Sequence, residues 1–362
     1  YIVYPLMVIF GLSETEWLQT TTTHVMETTG KNYAKLMQIF SLIPNSMQYE
    51  PNDQIGIPWD LNKIAQLLFF IALSATVVGL ICARTKAKRW WTGGLGLLLS
   101  AVLLTGYFIP VSVPVMDLSA ASETADTTYY DMIHKDCQKD EAADFRVKKY
   151  QLDFSMGLNL TGRAKVYVDR SELKSYRFTL YHGYKVKQVT DQTGAALDFR
   201  REYDYVTVTR GGAAVEYLCL EYAGKSPKYY SSYAGVCLPA NFAYYPIPGY
   251  RELFSDNFYG FIDCSLPYDT AFDVRCSGRK QMYCNLAARG DNHFAGNARS
   301  ITLLSGYYDT LKLNNTLVVY PKYADGEIQA RIKKNMGTFT KEHRDIRTIF
   351  IMGADNLTPY EH

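Results

Sequence analysis

The chain lacks the patterns that carry hydrolytic metal or nucleotide chemistry. None of its six histidines (His24, His134, His182, His293, His343 and His362) precedes a Glu, and no two stand four apart. An H-E-x-x-H site needs two ligands on one helix face with a general base between them, so that zinc site is excluded from this chain. The seven cysteines include no Cys-x-x-Cys pair, which argues against a structural zinc site. Gly224-Lys225-Ser226 ends like a phosphate loop, but that loop requires glycine at position 219, where the chain has Cys219. Charge of one sign is not in excess. A formal net charge of +2 leaves no basic surplus for nucleic acid. Tyr1 to Leu12 is apolar without an initiator Met or a basic n-region, so it does not read as a signal peptide. The expectation is the outer end of a truncated transmembrane helix (residues 1–12) in a fragment of a longer polypeptide.

Charge is missing most conspicuously from two stretches. Ile64 to Cys82 and Trp91 to Val113 carry none. About 20 apolar residues at 1.5 Å each cross a hydrocarbon core of roughly 30 Å. Neither stretch offers a polar face to water. Residues 64–113 are therefore expected to form a transmembrane hairpin whose turn, residues 83–90, carries Arg84, Lys86, Lys88 and Arg89. Cationic short loops stay in the cytoplasm, and Trp90 and Trp91 suit the headgroup layer. These four cations are the topology determinants: residues 13–63 become an extracytoplasmic loop, and everything after Val113 lies outside the cytoplasm. The expected location is the cell membrane, multi-pass, with the lipid bilayer as a partner. Within the loop, Leu36, Ile39, Phe40 and Ile43 have helical spacing, which fits an amphipathic helix on the outer leaflet or packing against transmembrane neighbours. Charges are absent inside the hairpin, so it offers no proton or ion relay.

Residues 114–143 read as a polar linker, part of it helical. From Arg146 the hydrophobic period becomes two. Tyr150, Leu152, Phe154, Met156, Leu158 and Leu160 alternate with polar residues as one long strand, with a turn at Thr161-Gly162-Arg163. Further strands are predicted at 177–181, 186–191, 204–209 and 215–222, then at 268–276 and 281–286. A polar turn is expected at 291–296, paired strands at 300–308 and 316–320, a short helix at 326–341 and a last strand at 347–352. Strands at this spacing without intervening helices indicate an all-β antiparallel saddle or sandwich over residues 144–322, followed by the α/β start of a further region at 323–362. Pro246, Pro248 and Gly249 rule out a central strand between Phe242 and Gly249.

The thirty tyrosines concentrate after residue 128. Tyr229, Tyr230, Tyr233, Tyr244, Tyr245 and Tyr250 form a candidate substrate surface, since tyrosine suits interfaces; packing in the core and rim of a β domain is the alternative. Six cysteines outside the membrane could pair as disulfides, but spacing assigns none. No carboxylate pair marks a catalytic site.

The order of several short motifs then carries a resemblance. Leu158-Asn159-Leu160-Thr161-Gly162 is followed by Tyr244-Tyr245-Pro246 and Pro267-Tyr268-Asp269. Next come Cys284-Asn285-Leu286, Ile301 to Tyr308, and Leu317-Val318-Val319-Tyr320-Pro321. Over about residues 145–322 the chain resembles the N-terminal β-saddle domain of M1-family zinc aminopeptidases. Multi-pass helices before such a domain resemble ABC-2-type transporter permeases fused to an M1-like region. The resemblance implies a permease component with a non-catalytic extracytoplasmic binding or gating domain. Its partners would be an ATP-binding subunit, other permease helices and a peptide-like or lipid-like substrate. The alternative is the front portion of a membrane-anchored M1-type zinc aminopeptidase whose catalytic domain lies beyond residue 362. Gly353-Ala354-Asp355-Asn356 is similar to the family's substrate-binding G-A-M-E-N motif but is one residue short and lacks its Met-Glu pair. No catalytic residue, metal ligand or cofactor is assigned in this chain on either reading.

Overall fold

The computed structural model describes residues 61–107, 126, 129–130, 134–226, 228–255, 260–322, 326–342 and 346–351. The expectations for residues 1–60, for most of the linker before Asp126 and for Gly353 to Asn356 lie outside the described residues. The chain divides into two units.

The first unit contains α1 (Leu61–Cys82) and α2 (Lys86–Tyr107), two helices joined by a three-residue turn. Thr85 starts α2 by accepting a hydrogen bond from the Lys88 amide through its hydroxyl, at 3.3 Å. Arg89 donates to the Ala83 carbonyl at 3.0 Å, which satisfies a group left open at the end of α1. Small residues bring the helices together. A Cβ on Gly96 would lie 2.0 Å from Thr76 Oγ1, so only glycine permits this approach. Outward, the pair presents Leu67, Ile71, Val78, Leu97, Leu98 and Val102, all more than 40% exposed. By length and composition one helix among the described residues could cross a membrane: Ile64–Cys82, with a mean hydropathy of 2.4. The second predicted span, 91–113, runs past Tyr107 out of the described residues.

The second unit is mostly β-sheet. A seven-stranded sheet has the order β14-β15-β12-β1-β2-β7-β4. Its members are β14 (Ala287–Gly290), β15 (His293–Ala298), β12 (Thr270–Ser277), β1 (Val147–Met156), β2 (Leu160–Val168), β7 (Tyr217–Gly224) and β4 (Tyr184–Thr190). A four-stranded sheet, β5-β6-β3-β9, joins Phe199–Glu202, Tyr205–Thr209, Ser175–Thr179 and Ile247–Pro248. Smaller sheets join β13 (Tyr283–Cys284), β16 (Leu303–Ser305) and β8 (Val236–Leu238), and β10 (Phe254–Ser255) with β11 (Gly260–Phe261). The last joins β17 (Tyr308–Leu313), β18 (Thr316–Pro321) and β19 (Thr348–Phe350), with α3 (Gly326–Glu342) between β18 and β19.

The alternation read from the sequence is the burial pattern of the central strand. Tyr150, Leu152, Phe154 and Met156 are all buried and face the core. Leu158 departs from the expectation. The hairpin turn falls at 157–159, where the Gly157 amide donates to the Asn159 carbonyl at 3.2 Å, and Leu158 is 42% exposed. Thr161, Gly162 and Arg163 are strand residues paired with Ser155, Phe154 and Asp153. Gly162 sits there because the Tyr222 ring occupies the space a side chain would need: a Cβ would meet Tyr222 Cζ at 2.5 Å. The purely antiparallel expectation also needs correction. β1 runs parallel to β12 from Lys149↔Ala271 to Ser155↔Ser277, and β18 runs parallel to β19. In each case a long connection between the strands makes the parallel pairing possible.

Two further expectations shift. Residues 300–308 do not pair with 316–320 as one hairpin. β16 instead pairs with β13 and β8, and β18 pairs with β17, which turns at Asn314 with a φ of 54°. Of the polar turn expected at 291–296, only Asp291 and Asn292 turn; His293 to Gly296 belong to β15 and pair with β12. All seven cysteines are free. Burial pushes the thiols of Cys237, Cys264 and Cys284 up to about 12, so they behave as small apolar residues.

Candidate functional site

The stretch from Phe242 to Gly249 crosses the interior of the β unit almost without ladder partners. Among the described residues it pairs only through Ile247 and Pro248, with β3. A buried backbone without a ladder needs donors from side chains. Tyrosines supply them. Tyr150 donates its hydroxyl to the Pro246 carbonyl at 2.8 Å, and Tyr222 donates to the Tyr244 carbonyl at 2.9 Å. Tyr244 in turn donates to the Ile301 carbonyl at 2.8 Å. Asn285 closes the arrangement, donating to the Ser300 carbonyl and accepting from the Thr302 amide, each at 3.0 Å. Burial holds the hydroxyls of Tyr150, Tyr222 and Tyr244 far above the usual phenol range, so they remain donors.

This placement corrects the candidate substrate surface. Tyr244 and Tyr245 are fully buried, and Tyr229 and Tyr230 nearly so, which leaves them no area to offer a ligand. Tyr233 and Tyr250 are half-buried at the rim. The Tyr233 amide donates to the Gly157 carbonyl at 2.8 Å. The Tyr250 ring lies under the Arg177 guanidinium, and its backbone bridges to Glu141. The six tyrosines do not line one surface. The four cations Arg84, Lys86, Lys88 and Arg89 are all exposed around the α1–α2 turn.

On the solvent face of the seven-stranded sheet, Gln151, Asp153, Lys165, Asp273 and Arg275 line an open cleft of about 250 Å³. His293 meets Asp273 at 2.9 Å, and Tyr167 donates to Gln151 at 3.0 Å. Both signs of charge alternate across neighbouring strands. This is the ordinary arrangement of cross-strand pairs on a solvated sheet face.

A different cluster was not anticipated from the sequence. His182, in the turn between β3 and β4, stands between two carboxylates. Its Nδ1 lies 3.4 Å from Asp204 Oδ1 and its Nε2 lies 4.0 Å from Asp126 Oδ1. Asp126 and Asp204 are buried, at 2% and 3% exposure. Tyr181 donates to Asp126 Oδ1 at 2.5 Å, while Asp126 Oδ2 has no hydrogen-bond partner among the described residues. Asp204 also accepts from the His182 amide at 2.6 Å. Tyr129 stacks on the His182 ring at 3.5 Å, and the Tyr130 hydroxyl lies 3.3 Å from its Nδ1. Beneath them Arg201 donates to the carbonyls of Leu180, Tyr181 and Tyr184. The two ring nitrogens face different carboxylates, Asp204 at the shorter distance and Asp126 beyond hydrogen-bond reach. Among the described residues no group of His, Cys, Asp and Glu converges as a metal site. The partners come from sequence positions too far apart for spacing to reveal them.

No family model matches the chain, and no curated protein matches it. Solved structures do. An M1 zinc metallopeptidase from Deinococcus radiodurans is similar at 12% identity and a TM-score of 0.33, over 55% of this chain and 54% of that one. Native leukotriene A4 hydrolase from Saccharomyces cerevisiae is similar at 8% identity and a TM-score of 0.40, over 63% of this chain and 41% of that one. The chain thus spans about half or less of the length of these structures. At these TM-scores no residue role transfers between the chains.

Proposed function

We propose that this chain is the membrane-tethered, non-catalytic front portion of an M1-type zinc aminopeptidase. In this reading the helix pair α1–α2 anchors the polypeptide in the lipid bilayer. The β unit is a rigid scaffold outside the cytoplasm. The zinc domain that would act on peptide-like substrates follows His362. The supporting observation is the role of the resembling motifs. Tyr244-Tyr245-Pro246, Cys284-Asn285-Leu286 and Ile301 are the segments that tyrosine and asparagine side chains tie together inside the β unit. Motifs used this way specify a scaffold, and they ask for no catalytic residue in the same unit. The exposed apolar side chains of α1 and α2 favour burial in lipid or against other helices.

The rival reading is a permease component with an ATP-binding subunit and a gating outer domain. It uses the same helix pair but requires a nucleotide-dependent partner. Zinc content and aminopeptidase activity of the full-length parent protein, purified in detergent, separate the two. Stoichiometric zinc with cleavage of an aminoacyl amide supports the peptidase reading. Protein free of zinc and inert toward such amides overturns it, and co-purification of an ATPase would then favour transport.

A further inference from the structure

We propose that the Asp126–His182–Asp204 cluster is a protonation-gated latch that holds Asp126, Tyr129 and Tyr130 against the β unit and closes more tightly as its surroundings acidify. The geometry is that of a docked segment. Tyr130 inserts fully into the core and stacks on Phe254 at 5.0 Å. Tyr129 covers His182, and His134 lies between Tyr129 and Tyr203, at 4.4 and 4.5 Å. Asp126 is the one carboxylate this stretch buries among the described residues.

The groups facing the cluster come from every element around it. Asp126 faces Tyr181 and His182 from the β3–β4 turn, Asp204 from the β5–β6 turn, and Lys228 beyond β7. Asp204 and the two tyrosines Tyr129 and Tyr130 also face Arg201 of β5. Tyr181 is held by Ser226 as well as by Asp126. Tyr203 faces Cys137 of the docked stretch. Against this surround, burial is the largest influence on Asp126. It pushes the carboxyl up from 3.8 to about 6, opposed by the Tyr181 hydrogen bond and then by His182. An oxygen without a partner, buried beside a second carboxylate, is more stable carrying the proton.

The direction follows from linkage. The docked stretch holds a proton that the undocked stretch releases. Between the two pKa values docking takes up one proton, and its equilibrium constant rises about tenfold for each pH unit of acidification. Hydrogen exchange on the full-length protein in detergent tests this. Protection of the amides of Tyr129, Tyr130, His134 and Cys137, corrected for intrinsic rates and referred to those of Tyr150–Phe154 in β1, is measured from pH 7.5 to 4. The expected result is protection rising about tenfold per unit below pH 6, and flat in Asp126→Asn. Tyr181→Phe removes the hydrogen bond that favours the ionised form, so the rise should begin at higher pH. A merely structural contact would lower protection at every pH without moving that onset. Flat protection in the natural sequence, an unchanged slope in Asp126→Asn, or an unmoved onset in Tyr181→Phe each overturns the latch.

Discussion

Replacing Gly162 by alanine tests the close approach on which the central sheet depends. The added Cβ would stand 2.5 Å from Tyr222 Cζ, 2.7 Å from Cε2 and 2.8 Å from the hydroxyl oxygen. An aromatic ring is not a flexible tip, and Tyr222 is fully buried, so the ring must tilt as a whole or β2 must move away. Overpacking of this kind costs about 1–3 kcal/mol. Tilting also lengthens the 2.9 Å hydrogen bond to the Tyr244 carbonyl, which would leave a buried acceptor unpaired at a further cost of about 1 kcal/mol. The combined loss is about 2–4 kcal/mol, which for a domain of this size lowers Tm by roughly 5–12 °C. Denaturant unfolding of the full-length protein, followed by tyrosine fluorescence and far-UV circular dichroism, measures it, since all four tryptophans (Trp17, Trp59, Trp90 and Trp91) lie before the β unit. In a double-mutant cycle Gly162→Ala should cost less in a Tyr222→Leu background than in the natural one, because the smaller side chain makes room for the methyl group. An unfolding midpoint for Gly162→Ala equal to that of the natural sequence would refute the reasoning, since no close approach could then exist.

Three further outcomes are expected. Tyr244→Phe removes the donor to Ile301 and should cost about 1–2 kcal/mol in unfolding free energy; unchanged stability would sink the carbonyl-donor role. Asp126→Asn should stabilise the protein at pH 7 and lose its advantage by pH 4. Sign and size follow from the raised carboxyl: stability conferred by the proton is fully present below 3.8 and is lost as pH rises through about 6, a difference of ~3 kcal/mol between the two limits. Identical pH profiles for the variant and the natural sequence in thermal melts would contradict it. In whole cells, a cysteine replacing Lys86 should resist a membrane-impermeant thiol reagent while one replacing Gly211 reacts; the reverse pattern would invert the proposed topology.

What the sequence disclosed, and what it hid, follows from the range of the interactions. Period-two alternation is local, so β1, β6 and β7 and the burial of Tyr150, Leu152 and Phe154 were legible. The helix over 326–341 was legible too, and the structure extends it by one residue, to Glu342. Partner choice is not local. Nothing around residue 303 distinguishes a strand that pairs with 238 from one that pairs with 318, and both edges offer apolar residues. The parallel match of β1 with β12 joins positions more than a hundred residues apart and leaves no spacing signal. Gly162 shows how a local rule misleads. Thr-Gly-Arg resembles a turn, but this glycine is required by a ring that arrives from β7.

The tyrosines illustrate why a surface and a core are hard to tell apart from sequence. Abundant tyrosine fits an interface because one end is apolar and the other polar. The same duality suits a core through which irregular backbone passes. Phenylalanine in place of Tyr150, Tyr222 or Tyr244 would fill the same volume but leave the carbonyls of Pro246, Tyr244 and Ile301 without their donors. A β unit that threads an irregular stretch such as 242–249 through its centre therefore selects for tyrosine, at the positions where strands face the crossing chain. On this argument Tyr150 and Tyr222 record the path of the crossing chain. A ligand is better sought where charge is buried at a cost, as at Asp126, than where tyrosines are merely numerous.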